Sequence, residues 1–139
     1  MSQSLVQIYI HLVFSTKDRR PFLQDKELRE ATHAYLAGIF KNLDSPALII
    51  GGVEDHVHVS FRLGKQRKIS DIVREVKRDS STWVKEQYPV LSNFYWQSGY
   101  CAFSVSPTHL NSLAEYIQNQ ESRHEQVTFQ EEFRRLCEK

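Results

Sequence analysis

No apolar run in this 139-residue chain approaches the roughly 18–20 residues needed to cross a bilayer. Its opening segment, MSQSLVQIYIHLVFSTKDRR, is broken by Gln7 and His11 and lacks the basic start of a secretory leader. Membrane insertion and export are therefore not expected, and a cytoplasmic location is. Cysteine is scarce: Cys101 and Cys137 sit in no C-x-x-C pattern, which argues against a disulfide framework and for a reduced compartment with two structural thiols. Charge of one sign is lacking too. Eighteen Lys and Arg offset 17 Asp and Glu for a formal net charge of +1. Taken over the whole chain, that balance excludes a strongly basic nucleic-acid coat and an acidic disordered tail. Internal repeats and low-complexity segments are absent.

What is present is 40% hydrophobic, 25% charged and 12% aromatic residues, the profile of a soluble globular protein. The length suits one domain, residues 1–139, able to bury about two thirds of its unfolded surface. Residues 5–16 alternate, with Val6, Ile8, Ile10, Leu12 and Phe14 on one face and Gln7, Tyr9, His11 and Ser15 on the other. Period two predicts a strand with one buried face. Helical spacing of Leu28, Ala31, Leu36, Ile39 and Phe40 predicts a helix over 25–43, with Asp25 as N-cap. Pro46 ends it. Two short strands follow, 47–53 and 56–63, close enough to form an antiparallel hairpin. A second amphipathic helix is predicted over about 70–87, and a fourth strand is centred on 100–105. A third helix is expected to end near residue 123, and a last one over about 128–137 opens with Thr128 and Glu131 as a capping box.

The order β-α-β-β-α-β predicts an α+β, ferredoxin-like fold, an antiparallel sheet with helices on one face. The sheet core would occupy about residues 1–106, with C-terminal helices over about 109–139. Such a fold hosts many functions, so chemistry has to be read from particular residues.

The sharpest local feature is Asp55-His56-Val57-His58-Val59. On a strand, i and i+2 side chains share a face, with Cα atoms about 7 Å apart. Two imidazoles so placed could share a divalent ion, although a third protein ligand is needed before the pattern means more than two satisfied histidines. Tyr116 and Gln120, four residues apart, would stack on one helix face. A phenol is a poor nucleophile at its ordinary pKa near 10 and needs help from a metal or a base. An amide oxygen one turn away is a hard ligand of the kind that completes such a shell.

An H-hydrophobic-H strand followed by a helix bearing Tyr-x-x-x-Gln resembles the single-tyrosine HUH endonucleases, in particular the small transposases of the simplest bacterial insertion sequences and their repeat-associated relatives. Five stretches carry the resemblance in register along nearly the whole chain: HLVFSTKDRRPF (11–22), GGVEDHVHV (51–59), VREVKRDSSTWVKE (73–86), WQSGYCAFSVS (96–106) and YIQNQESRH (116–124). The resemblance implies that His56, His58 and Gln120 are metal ligands and that Tyr116 is the nucleophile. It further implies Mg2+ or Mn2+ acting on single-stranded DNA with hairpin element ends. The products would be a 5′-phosphotyrosine and a free 3′-OH, and the protein a homodimer. His11 on the first strand either flanks this site or lines the sheet, and a DNA-proximal or structural role is expected for His124.

DNA binding needs cations, and charge is unevenly spread. Residues 62–85 carry eight Lys or Arg against three acids, a local net of +5. Lys65, Arg67, Lys68, Arg74, Lys77 and Arg78 from this region, with Lys17, Arg19 and Arg20 after the first strand, are candidate phosphate contacts. A two-histidine phosphodiesterase is a poor rival, because His58-Val59-Ser60 has no second H-x-[ST] partner. A non-catalytic nucleic-acid module would need stacking aromatics on the central strands, and only Phe61 is offered on the His58 strand. A domesticated single-strand nickase would retain the same residues.

Overall fold

The computed structural model describes residues 3–122. Its elements run β1 (Ile8–Ser15), α1 (Lys26–Asn42), β2 (Ala47–Gly52), β3 (His56–Leu63), α2 (Ile69–Gln87), β4 (Cys101–Val105) and α3 (Leu110–Gln118), with a 3-10 turn at Lys17–Arg19. The four strands form one antiparallel sheet in the order β2-β3-β1-β4. Each of the two β-α-β crossovers therefore skips one strand, the α+β ferredoxin-like arrangement that the element order predicted.

The alternation of β1 and β3 sorts the sheet into two faces. Ile10, Leu12 and Phe14 lie opposite Phe61, Val59 and Val57, and all six are buried in the core shared with α1 and α2. Phe40 of α1 meets Phe61 with ring centroids 5.0 Å apart, and Tyr35 of α1 stacks on Trp83 of α2 at 4.6 Å. Asp25 caps α1 as expected, accepting from the Leu28 backbone N–H at 2.9 Å and so satisfying one of the donors a helix start leaves open. Trp96 closes the core beside Phe14, and its indole N–H donates to Ser80 Oγ at 2.9 Å.

The opposite face departs from the expectation of a sheet covered on one side. His11, Val13, His56, His58 and Ser60 all point there and are buried as well. The cover is α3. Gly51 lies across from His58 on this face, and a Cβ at Gly51 would stand 2.5 Å from the Ile117 carbonyl oxygen and 2.8 Å from Ile117 Cγ2. Only a hydrogen at this position lets the α3 backbone settle onto β2, which buries Ile117.

Three boundaries differ from the sequence pattern. β1 starts at Ile8 because β3 ends at Leu63, its partner, so Leu5 and Val6 have no strand beside them and stay exposed. β4 starts one residue after Tyr100. α3 is interrupted by a turn at Asn119, whose backbone N–H donates to the Glu115 carbonyl, and the chain is helical again over residues 120–122, so Gln120 stands just beyond that break. The helix expected over 128–137, with Cys137 and His124, lies outside the described residues.

Replacing Gly51 with Ala must therefore push α3 off the sheet. The expected result is a loss of about 1–3 kcal/mol in stability, as for other overpacked sites, measured by urea unfolding. Unchanged stability would show that α3 does not rest on Gly51.

Candidate metal and tyrosine site

His56 opens β3 opposite Ser15, the last residue of β1, so the histidine face is built at one end of the sheet. His56 and His58 project together with ring centroids 5.1 Å apart. Both are fully buried. Asp55 Oδ1 lies 2.8 Å from His56 Nδ1. A carboxylate only accepts, so this nitrogen carries the proton and a neutral His56 ring presents its lone pair at Nε2. That lone pair faces Gln120 Oε1 at 3.4 Å. Gln120 cannot swap its amide atoms without cost, because its Nε2 donates to the Tyr116 carbonyl at 3.2 Å. With a neutral His56, two acceptors would meet in a buried place, an arrangement that a cation would bridge.

The donor set fits a divalent ion. Among the described residues, no group of three His, Cys, Asp or Glu side chains is placed to hold a metal, so a centre here depends on the Gln120 oxygen joining two imidazoles. Two imidazole nitrogens and an amide oxygen, with no thiolate among them, are donors that a divalent ion of borderline or hard character accepts. The Asp55–His56 pair also has the carboxylate–histidine form that orients metal-bound imidazoles.

Tyr116 reaches the same place from α3. Its half-buried ring stands edge-on to His58, centroids 5.5 Å apart, and edge-on to His11 at 6.1 Å. The expected four members, His56, His58, Tyr116 and Gln120, are brought together. Gln120 stands four residues after Tyr116, and its side-chain amide folds back onto the Tyr116 carbonyl.

Two contributors were not assigned roles from the sequence. Asp55 stood inside the Asp-His-Val-His motif, and its adjacency to His56 was the available signal. Arg29 gave no local signal. Its guanidinium is buried in α1, donates to the Leu23 and Gln24 carbonyls and pairs with Glu121 Oε1 at 2.5 Å. It ties the chain immediately after Gln120 to the far side of the sheet edge.

The nine candidate phosphate contacts do not form one surface. Lys17, Arg19 and Arg20 are exposed at the site end of the sheet, directly after β1. Asp18 and Arg19 both hold positive φ, 56° and 53°, a left-handed turn that costs energy for non-glycine residues. It is held by Asp18 N–H donating to Gln97 Oε1 and by Thr16 Oγ1 donating to the Arg20 carbonyl. Lys65, Arg67 and Lys68 lie in the loop that leaves the opposite end of β3, about 23 Å away along the strand by its rise per residue. Arg74 and Arg78 are exposed on α2, paired with Asp71 and Asp79. Lys77 serves the protein itself: Nζ donates to the Gln97 and Gly99 carbonyls at 2.7 and 2.6 Å, and burial lowers its pKa.

The family model described as transposase, IS200-like, matches residues 4–120. Among solved structures, a Deinococcus radiodurans R1 protein assigned as a transposase is similar with a TM-score of 0.70 and 24% identity over 86% of this chain and 98% of that one. A REP-associated tyrosine transposase, solved bound to a REP hairpin, is similar with a TM-score of 0.66 and 15% identity over 91% and 76%. At these identities the two structures establish the shared fold. No curated protein matches the chain in sequence.

His33 on α1 lies in the field of Arg29 and Glu121. Burial, reinforced by Arg29 and opposed by Glu121, lowers its pKa from 6.5 to about 4. A depressed imidazole means that the unfolded chain binds the extra proton first, so stability is complete above about pH 6.5 and falls as pH drops towards 4. Urea unfolding at pH 7 and pH 4.5 should differ by about 1–3 kcal/mol through this residue, and His33→Gln should flatten the difference. An equal pH dependence in the variant would remove His33 as its source.

Proposed function

Because the chain belongs to the IS200-like transposase family, we propose that it is a divalent-metal-dependent transposase of single-stranded DNA that cuts and rejoins strands through a 5′-phosphotyrosine at Tyr116. One observation carries the reading: the buried His56 Nε2 and Gln120 Oε1 converge beside a histidine whose ring touches the only tyrosine of α3. His56, His58 and Gln120 would hold Mg2+ or Mn2+. When bound, the ion supplies Lewis-acid stabilisation of charge on the scissile phosphate.

The chain's own residues do the rest. Asp55 holds His56 in the ligating tautomer, and Gln120 is held by the backbone of the residue that attacks. Tyr116 Oη loses its proton and bonds to phosphorus as the bond to the 3′-oxygen breaks, and that oxygen takes up a proton to leave a free 3′-OH. The phosphodiester energy stays in the tyrosine ester, so attack by another 3′-OH reverses the step and joins strands without ATP. Lys17, Arg19 and Arg20 border the site end of the sheet and suit the backbone of an incoming strand. A likeness to a relative solved on a hairpin supports hairpin element ends as the substrate. The homodimer implied by the sequence resemblance belongs to the same reading.

A domesticated nickase would use the same steps and differ in the fate of the cut ends. A non-catalytic binding module is disfavoured, because Phe61, the aromatic it would stack bases on, is buried against Phe40 on the helical side of the sheet.

Incubating the protein with Mn2+ and a single-stranded oligonucleotide carrying the element's ends should give a covalent protein–DNA adduct. Tyr116→Phe should abolish it, and His56→Ala should lower cleavage by at least about 100-fold, consistent with loss of a metal ligand. An adduct that survives in Tyr116→Phe would remove Tyr116 as nucleophile, and full cleavage by His56→Ala would remove the metal assignment.

A further inference from the structure

His11 lies on β1 between Ser60 of β3 and Phe103 of β4, is 5% exposed, and faces the candidate site. Its Nε2 is 2.9 Å from His58 Nδ1, and the two rings stack at 5.2 Å with an interplanar angle of 25°. Phe103 packs against the other side at 6.2 Å, and the Tyr116 ring stands edge-on at 6.1 Å. His11 thus contacts both a candidate ligand and the candidate nucleophile. Nothing in the proposed chemistry uses it.

One proton is shared across the His11–His58 contact, and its position decides what His58 can do. If His11 donates, His58 carries its own proton on Nε2 and has no lone pair for an ion. If His58 Nδ1 donates and His11 Nε2 accepts, His58 Nε2 is bare and ready to ligate. His56 solves the same problem with the Asp55 carboxylate. At Nδ1 of His58 an imidazole stands where His56 has its carboxylate.

We propose that His11 is the positioning residue of the site: its Nε2 accepts from His58 Nδ1–H, fixes His58 in the ligating tautomer, and holds the His58 ring and the Tyr116 ring in register. The inference rests on the metal reading of His56, His58 and Gln120. The stacked ring makes this partner stiff, since His11 is packed between Phe103 and His58 and buries a polar group that a bond must satisfy. The second ligand of the pair is therefore oriented by an imidazole, which, unlike a carboxylate, carries no negative charge next to the phosphate that Tyr116 attacks.

The test is Mn2+ titration of the metal-free protein, followed by the bound-ion signal in electron paramagnetic resonance, with long-range 1H–15N spectra reporting the His58 tautomer. Wild-type protein should show His58 protonated on Nδ1. His11→Phe, which keeps the ring packing and removes the acceptor, should weaken Mn2+ binding by about 10- to 100-fold. His11→Gln, whose amide oxygen reaches the same place, should restore most of it. A simple packing role would leave Mn2+ affinity unchanged in the phenylalanine variant, and that result would overturn the proposal, as would a wild-type His58 protonated on Nε2. Wild-type protein that binds no Mn2+ would defeat the metal reading itself and this inference with it. Wild-type binding that is lost in His56→Ala but kept in His11→Phe would defeat this inference alone.

Discussion

Everything in this protein is organised by the antiparallel ladder between β1 and β3, from Ile8 opposite Leu63 to Ser15 opposite His56. Strand side chains alternate with period two, so a single register commits both faces at once. Ile10, Leu12, Phe14, Val57, Val59 and Phe61 face the helices, while His11, Val13, His56, His58 and Ser60 face the other way. A slip of one residue in β3 would drive His56 and His58 into the apolar core and turn Val57, Val59 and Phe61 outside. The apolar core therefore positions the candidate site with the same contacts that stabilise the fold.

The histidine face becomes a site only when α3 covers it. That docking has one steric permission and two polar fasteners. Gly51 lets the Ile117 backbone approach β2, Gln120 Oε1 meets His56 Nε2 of β3, and Arg29 pairs with Glu121 just beyond. An Arg–carboxylate pair with one exposed partner contributes little stability by itself. Its role here is geometric, because the residue it restrains is next to Gln120. Burying two histidines and a glutamine under a short helix is expensive unless their polar atoms are satisfied. The Asp55–His56 and His11–His58 contacts satisfy one nitrogen of each candidate ligand and leave the ligating side of His56 turned towards Gln120.

Much of this was legible in the sequence because alternation and helical spacing are strong signals in long amphipathic elements. β3 and the Asp25 cap were read as the structure has them, and α1 and α2 closely. The ends that strayed depend on partners that local pattern does not reveal: Leu5 and Val6 continue the alternation of β1, but no strand lies beside them. The second buried face was missed for the same reason. His11 and Val13 sit among polar or apolar neighbours that fit a solvent-facing strand equally well, and only the placement of α3 buries them. The basic residues show the limit from another side. Lys77 reads as a surface cation by composition, yet it supports the Gln97–Gly99 backbone, and Lys65, Arg67 and Lys68 fall at the end of the sheet away from the histidines. Arg29 was invisible, since its partner is 92 residues away in sequence.

The family membership of the chain states what kind of chemistry to look for, and the proposed location is the face of the sheet that α3 covers, between two histidines and an amide oxygen. A crystal of the protein grown with Mn2+, recorded at a wavelength where manganese scatters anomalously, tests that location directly. The account predicts a single anomalous peak within coordinating distance of His56 Nε2, His58 Nε2 and Gln120 Oε1. A manganese peak elsewhere, with His56 and Gln120 still facing each other across an empty gap, would contradict it.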